Sequence, residues 1–329
     1  MLVDAWGRPT TDLRISLTDR CNFRCVFCHN EGQGEVHSPS EPAPGEMSLD
    51  HALRLGRIAH EFGVANFKLT GGEPLVRRDC EAIVAGLASL GDDVEVSMTT
   101  NGSMLAGRAT RLRQAGLARV NVSVHSARPD DFTAVTGGQL APVLAGVGAA
   151  LEAGLTPVKL NMVVFKPTAA HIPEMVDFVA SHAGLHLQLI EFMPELVGHR
   201  DWRVDIGAIH AWLAERADRV EVRAMHHRRV YHIGASQVEV VDPVGNEDFC
   251  ANCHRVRVTA QGELKGCLNV AATVPTQGLD DAGIRAAFRR VVAERAPYYG
   301  GVLQRDARGQ WRRADLVEAS ARGYREAAG

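Results

Sequence analysis

Cys21, Cys25 and Cys28 fall within eight residues, in CNFRCVFC, directly after the run DLRISLT. The C-x3-C-x2-C spacing lets three thiolates converge on one centre, yet a closed structural zinc site takes four protein ligands. His29, beside Cys28, is poorly placed to complete that tetrahedron. A cubane iron–sulfur cluster tolerates three cysteines, because its fourth iron can be left to an exogenous ligand. On spacing alone, structural zinc and free thiols remain competitors.

A second triplet, Cys250, Cys253 and Cys267, has the spacing C-x2-C-x13-C and is again one ligand short. His254 is a nominal fourth ligand for zinc, so zinc and iron–sulfur stand about equal there. The seventh cysteine, Cys80, lies in the helical pattern RRDCEAIVAGLASL and reads as a buried structural thiol. Clusters of this kind suit metal ligation in a reducing compartment better than disulfides.

Arginines accompany both triplets. Arg255 and Arg257 alternate along RVRVT and so point to one face of a strand. Arg14 shares a face with Ser16 and Thr18, which in a barrel is the interior, and a buried guanidinium requires an anion. For one arginine, a salt bridge to one of 39 acidic residues is the ordinary explanation. Two or three converging arginines suit phosphate oxygens.

These groups need a scaffold, and the chain supplies a repeated one. Strand-like runs at 12–18, 66–72, 94–102, 119–126, 158–165 and 186–193 alternate with helical segments such as SLDHALRLGRIAHEFG, where Ser48 is the expected N-cap. Six β/α steps demand a parallel sheet with right-handed crossovers, hence an α/β fold, open or barrel-like. The chemistry-rich residues sit where parallel α/β folds place their sites, at the C-terminal ends of strands. Residues 1–193 are expected to form this core. Residues 194–329 are expected to be an α+β extension packed on the sheet, with a helix near DIGAIHAWLAERAD, strand-like runs VEVRAM, RRVYHIG and SQVEVVD, and the amphipathic stretch DDAGIRAAFRRVVAER. EVHSPSEPAPGE (35–46) reads as a mobile loop.

Net charge is −3 and the 36 basic residues are dispersed, so no nucleic-acid footprint stands out. The densest basic run, HHRR at 226–229, reads as a solvated turn between strands. Neither a signal peptide nor an apolar run of membrane-spanning length is present, and a cytoplasmic location is expected.

CNFRCVFC after the first strand, GGEP (71–74) after the second, and the six-step core together resemble the radical S-adenosylmethionine (SAM) enzymes. The resemblance implies a partial (β/α)6 TIM-like barrel and a 4Fe-4S cluster on Cys21, Cys25 and Cys28 whose open iron takes the methionine moiety of SAM. Reductive cleavage would then yield a 5′-deoxyadenosyl radical. By the same resemblance, Gly71 and Gly72 would bring backbone, and Glu73 a carboxylate, to the SAM amino group. Phe27, Thr99, Asn101, Ser123 and Met193 would be further SAM contacts.

LVDAWGRPTTDLRISLTDRCNFRCVFC, FKLTGGEPLVRRD and FCANCHRVRVTAQGELKGCLN extend the resemblance, from residue 2 to about 300, to the MoaA-like GTP 3′,8-cyclase family of molybdenum-cofactor biosynthesis. This implies a second 4Fe-4S cluster on Cys250, Cys253 and Cys267 that binds the substrate base, with hydrogen abstraction from ribose C3′ and attack on purine C8. Arg14, Lys68, Arg255 and Arg257 would bind the nucleotide. The chain departs from the family in ending GYREAAG rather than Gly-Gly, and in carrying Asn66 and Gln188 at positions commonly basic. CHNEG and VSVHS replace commoner forms of those motifs. Each lost charge-assisted contact costs about 1.5–3 kcal/mol, so GTP binding would need compensation from residues such as Arg77, Arg78 or Lys159.

The leading expectation is therefore cyclisation of GTP. Expected partners are a flavodoxin- or ferredoxin-type electron donor, since no flavin or nicotinamide fingerprint is present, and a downstream cyclic pyranopterin monophosphate synthase. A homodimer is the oligomeric state to test. The alternatives are a paralogue acting on another nucleotide, as in octosyl-acid-type antibiotic pathways, and a metal-binding or electron-transfer protein without catalysis.

Overall fold

Ser48 caps the first long helix, Leu49–Glu61, its hydroxyl accepting from His51 N at 3.1 Å. The computed structural model describes residues 1–32, 36–41, 45–244, 246–298, 303–305 and 311–313. The GYREAAG terminus and part of the 35–46 segment lie outside the described residues.

The six expected β/α steps are present as β1 (Asp12–Ser16), β2 (Asn66–Thr70), β3 (Glu95–Thr100), β4 (Leu117–Ser123), β5 (Val158–Val164) and β6 (Leu185–Glu191). All neighbouring pairs among them are parallel and the order is sequential, as a partial (β/α)6 barrel requires. Several strands stop short of the sequence expectation. The first ends at Ser16, because the chain must leave the sheet to build the cysteine loop.

Alternation along each strand sorts apolar from polar side chains. Leu13 and Ile15 on β1, and Phe67 and Leu69 on β2, are fully buried under the outer helices. Arg14 and Lys68, between them in sequence, point the other way and line a central cavity. Helices Leu49–Glu61, Cys80–Ala88 and Asp281–Glu294 pack outside, the last burying Ile284, Phe288 and Val291. Cys80 is fully buried, as expected of a structural thiol.

The C-terminal part does more than pack on this sheet; it lengthens it at both edges. After helix Ile206–Ala214 come β7 (Arg219–Val222), β8 (Arg229–Ile233) and β9 (Ser236–Val241), and β9 pairs parallel with β6. The chain then crosses to the opposite edge, where β10 (Arg255–Val258) pairs parallel with β1 and is followed by β11 (Leu264–Lys265). The result is an eleven-stranded sheet in the order β11-β10-β1-β2-β3-β4-β5-β6-β9-β8-β7. β12 (Leu303–Arg305) and β13 (Trp311–Arg313) form a separate antiparallel pair. No single described helix is long and apolar enough to cross a membrane.

Candidate functional site

The first triplet is held by backbone. Leu17 N donates to Thr70 O, Gly72 N to Thr18 O at 2.7 Å, and Glu73 N to Arg20 O at 2.8 Å, so the GGE turn is laced to the start of the cysteine loop. Both glycines are sterically required. A Cβ on Gly71, whose φ is +149°, would meet Thr18 O at 2.5 Å, and one on Gly72 would meet Arg20 O at 2.5 Å. On the far side Arg24 N and Val26 N donate to Thr136 O and Val135 O. Phe27 stacks edge-on against His125 at 4.5 Å, with Phe165 behind it.

Burial pushes the Cys21 thiol up to about 11, with Glu73 and Cys28 adding to the rise. Burial likewise raises Cys25 and Cys28, Cys25 being pushed further by the charges of its two companions. By exposure Cys21 is buried, Cys25 half-buried and Cys28 exposed, and three thiols this close together are unfavourable as bare thiolates and become favourable against cationic iron.

The second triplet is built from the opposite edge. Asn246 caps the short helix Glu247–Ala251, accepting from Phe249 N at 3.0 Å, and this helix carries Cys250. Cys253 precedes β10 and Cys267 follows β11. Arg8, almost fully buried, donates from Nη1 to Cys250 O at 2.8 Å and from Nε to Asp4 Oδ2 at 2.8 Å. Arg295 also reaches Asp4 Oδ2, at 2.9 Å, and donates to Arg255 O. Two guanidinium groups thus share one carboxylate, and Arg8 Nη2 is buried with no partner among the described residues. This surplus positive charge beside three thiols fits an anionic thiolate-bound cluster.

Among the described residues no three His, Cys, Asp or Glu side chains converge closely enough to hold a single metal ion. In a cubane each thiolate takes its own iron, so its sulfurs stand further apart than around one tetrahedral zinc. The donor set of each triplet, three thiols on one loop or sheet edge, suits a cubane with one open iron.

One cavity of about 930 Å³ is lined by all six of these cysteines. At the first-triplet end its wall includes Phe27, Gly71, Gly72, Thr99, Asn101, Ser123 and Met193, all expected there from the sequence. Glu73 differs. It is fully buried and off the cavity wall, its carboxylate accepting from Thr100 Oγ1 at 2.7 Å, Asn101 N at 2.6 Å and Leu75 N at 3.0 Å. Those three donors take up most of its accepting capacity, and of the GGE turn it is Gly71 and Gly72 that reach the cavity wall.

Between the triplets the wall is polar and cationic. Arg14, Lys68, Arg255 and Arg257 all reach it, Arg14 lying in register with Lys68 on one side and with Arg257 on the other. Arg14 and Arg257 are paired with Glu31, at 2.6 and 2.5 Å. Among the described residues Arg255 and Lys68 have no carboxylate within 4 Å; Lys68 Nζ donates to Asn121 Oδ1 at 2.8 Å. Burial first, then neighbouring Arg119, Arg14, Arg255 and Lys159, hold the Lys68 ammonium well below its ordinary range. Such a lysine gains most from an incoming anion.

The other end of this belt carries what the sequence reading missed. Gln188 Nε2 donates to Glu239 Oε2 at 2.8 Å, and the same carboxylate meets Lys159 at 2.9 Å, Arg223 at 3.2 Å and Arg228 at 3.3 Å. Three cations surround one carboxylate, and Arg223 and Arg228 reach the cavity together with Lys159. The HHRR run does join two strands, β7 and β8, as expected, but it is only half solvated. His226 is buried and stacked on Phe249 at 4.0 Å, and Arg228 is committed to Glu239, while His227 and Arg229 are exposed.

Arg77 and Arg78 do not compensate for Asn66 and Gln188. Arg77 is buried against Leu17 O, Met47 O and Asp79, and Arg78 is exposed away from the cavity. Lys159 does reach the cavity wall. The only signal for Arg228 was the basic density of HHRR, and Arg223, in the strand-like run VEVRAM, had none; their convergence on β9 depends on strand pairing.

Burial pushes the Glu239 carboxyl up, but Arg228, Lys159 and Arg223 outweigh it and hold it at about 2. A depressed pKa contributes stability that is complete above the ordinary value of 4.5 and is lost as pH falls toward 2. Glu239→Gln is expected to cost about 3 kcal/mol, because it leaves the largely buried Lys159 and Arg228 uncompensated while the half-exposed Arg223 is screened by solvent. Thermal melts at neutral pH should fall by on the order of 5 °C, with the difference shrinking toward pH 2. An unchanged melt would mean that the cations are fully solvated.

Comparison with known proteins gives a consistent result. Residues 15–179 match the Radical SAM superfamily model, and residues 185–300 match the Molybdenum Cofactor Synthesis C model. A probable GTP 3′,8-cyclase of Halobacterium salinarum is 52% identical over 94% of this chain and 93% of its own length. Those of Methanosarcina mazei and Methanocella arvoryzae are 44% and 41% identical, over 92% and 91% of this chain and 92% and 95% of theirs. Among solved structures, Streptococcus suis SuiB superposes with a TM-score of 0.63 at 15% identity, covering 89% of this chain and 68% of its own. An anSMEcpe structure with bound AdoMet gives 0.59 at 14% identity, covering 86% and 82%. At such identities these structures speak for the fold alone.

Proposed function

The chain belongs to the GTP 3′,8-cyclase family of radical SAM proteins, and from that premise we propose that it cyclises GTP to (8S)-3′,8-cyclo-7,8-dihydroguanosine 5′-triphosphate, an early step of molybdopterin biosynthesis. One observation carries the reading furthest: both cysteine triplets face a single cavity, and the wall between them is lined with cations. When bound, the first cluster with SAM supplies a 5′-deoxyadenosyl radical, and the second supplies an open iron for the purine.

The chain's own residues do the rest. Gly71 and Gly72 admit SAM by leaving backbone bare, and Phe27 with Phe165 and Phe192 forms an apolar wall that keeps water from a radical. Arg14, Lys68, Arg255 and Arg257 bind the triphosphate, and Lys159, Arg223 and Arg228 supply the charge missing at Asn66 and Gln188. With these, the case for a less charged nucleotide weakens. Residues 1–193 would generate the radical and residues 194–329 would hold most of the substrate's base. The fully buried Glu73 acts through its three hydrogen bonds, as a positioning residue for the GGE turn.

Electrons would come from a flavodoxin- or ferredoxin-type donor, the product would pass to a cyclic pyranopterin monophosphate synthase, and the reaction would take place in the cytoplasm. The expected result of anaerobic incubation with SAM, reductant and GTP deuterated at C3′ is deuterium in 5′-deoxyadenosine, read by mass spectrometry. Transfer from a uridine nucleotide instead would assign the chain to the antibiotic-type chemistry. Absence of any SAM cleavage would leave only metal binding.

A further inference from the structure

Glu31 comes to the cavity from the cysteine loop, three residues after Cys28, not from the barrel. Its two carboxylate oxygens are divided between two guanidinium groups: Oε1 meets Arg14 Nη2 at 2.6 Å and Oε2 meets Arg257 Nη1 at 2.5 Å. Arg14 and Arg257 are register partners on β1 and β10, so sheet pairing sets the separation of this fork whether or not Glu31 is present. A phosphate group could engage the same fork through two of its oxygens. Glu31 therefore sits where a substrate anion would be received.

The loop that brings it there is strained. Asn30 and Glu31 are consecutive non-glycine residues with φ of +44° and +54°, a left-handed conformation that side chains disfavour. In this turn the strain is offset by the two ion pairs of Glu31. Ligands differ in their power to compete for that fork. A nucleoside carries no charge to exchange for the carboxylate, whereas a triphosphate brings several negative charges and can also reach Lys68 and Arg255, which have no carboxylate within 4 Å among the described residues.

We infer that Glu31 is a displaceable internal anion that holds the Arg14–Arg257 fork until a polyphosphate expels it, and so selects nucleoside polyphosphates over nucleosides. This deepens the proposed function and rests on it for the location of the phosphates. Expulsion frees the 30–31 turn next to the first triplet, which links arrival of the nucleotide to the loop that carries Cys28.

The test is isothermal titration calorimetry of the anaerobically reconstituted full chain, parent and Glu31→Gln, with GTP, guanosine and inorganic tripolyphosphate. Removing the competitor should tighten GTP and tripolyphosphate by about tenfold and leave guanosine unchanged. If Glu31 instead positions the arginines, both polyphosphates bind more weakly in the variant, and the proposal fails. Unchanged affinity, or loss of first-cluster iron in both Glu31→Gln and Glu31→Ala, would also overturn it. Tighter tripolyphosphate binding without deuterium transfer from GTP would sustain Glu31 as the gate while removing GTP as the substrate.

Discussion

Replacing Cys21, Cys25 and Cys28 together with alanine is expected to halve the bound iron, from about eight to about four per chain, and to abolish SAM cleavage. The expectation of half, not none, follows from how the two triplets are supported. The first hangs on a loop laced to the GGE turn and to Val135 and Thr136. The second is held by β10, β11 and the Asp4–Arg8–Arg295 cluster at a different edge of the sheet. Among the described residues no hydrogen bond of Arg8 or Arg295 reaches the first loop, so its loss need not propagate. Iron analysis after anaerobic reconstitution and chromatographic assay of 5′-deoxyadenosine read the two effects separately. SAM cleavage persisting in the triple variant would remove the first triplet from the radical chemistry.

Replacing Cys250, Cys253 and Cys267 with alanine should give the complementary pattern. Cleavage of SAM should remain measurable, because Phe27, Gly71, Gly72 and the first triplet are contributed by other elements. Cyclised product should fall by at least about 10²-fold if the second triplet anchors the purine as proposed, since an unanchored purine would no longer place ribose C3′ where the radical forms. The ratio of 5′-deoxyadenosine to cyclised nucleotide is the decisive quantity. If a folded variant retains cyclisation, the second triplet is structural; if it loses SAM cleavage as well, the two ends of the cavity are not independent.

The sequence by itself determined the six β/α steps, the two cysteine triplets and the GGE turn. These are encoded locally: alternation sorts Leu13 and Ile15 from Arg14, the cap at Ser48 starts a helix, and glycine at 71 and 72 is demanded by contacts with the adjoining loop. The same local encoding made Arg255 and Arg257 legible as one face of a strand.

Tertiary structure alone decided which charges are available to a ligand. Glu73 has the composition of a ligand-binding carboxylate, but it is fully buried behind the cavity wall and accepts from three donors of the β3 end and the GGE turn. HHRR has the composition of a solvated turn, yet strand pairing of β8 with β9 and of β9 with β6 carries Arg228 to Glu239 and the cavity. Glu31 gave no sign in the sequence that it would span Arg14 and Arg257, which lie 243 residues apart and meet only because β10 returns to pair with β1. The physical reason is range. Backbone propensity and side-chain alternation act over a few residues, whereas the charge state and freedom of a buried group depend on what the sheet brings beside it from anywhere in the chain.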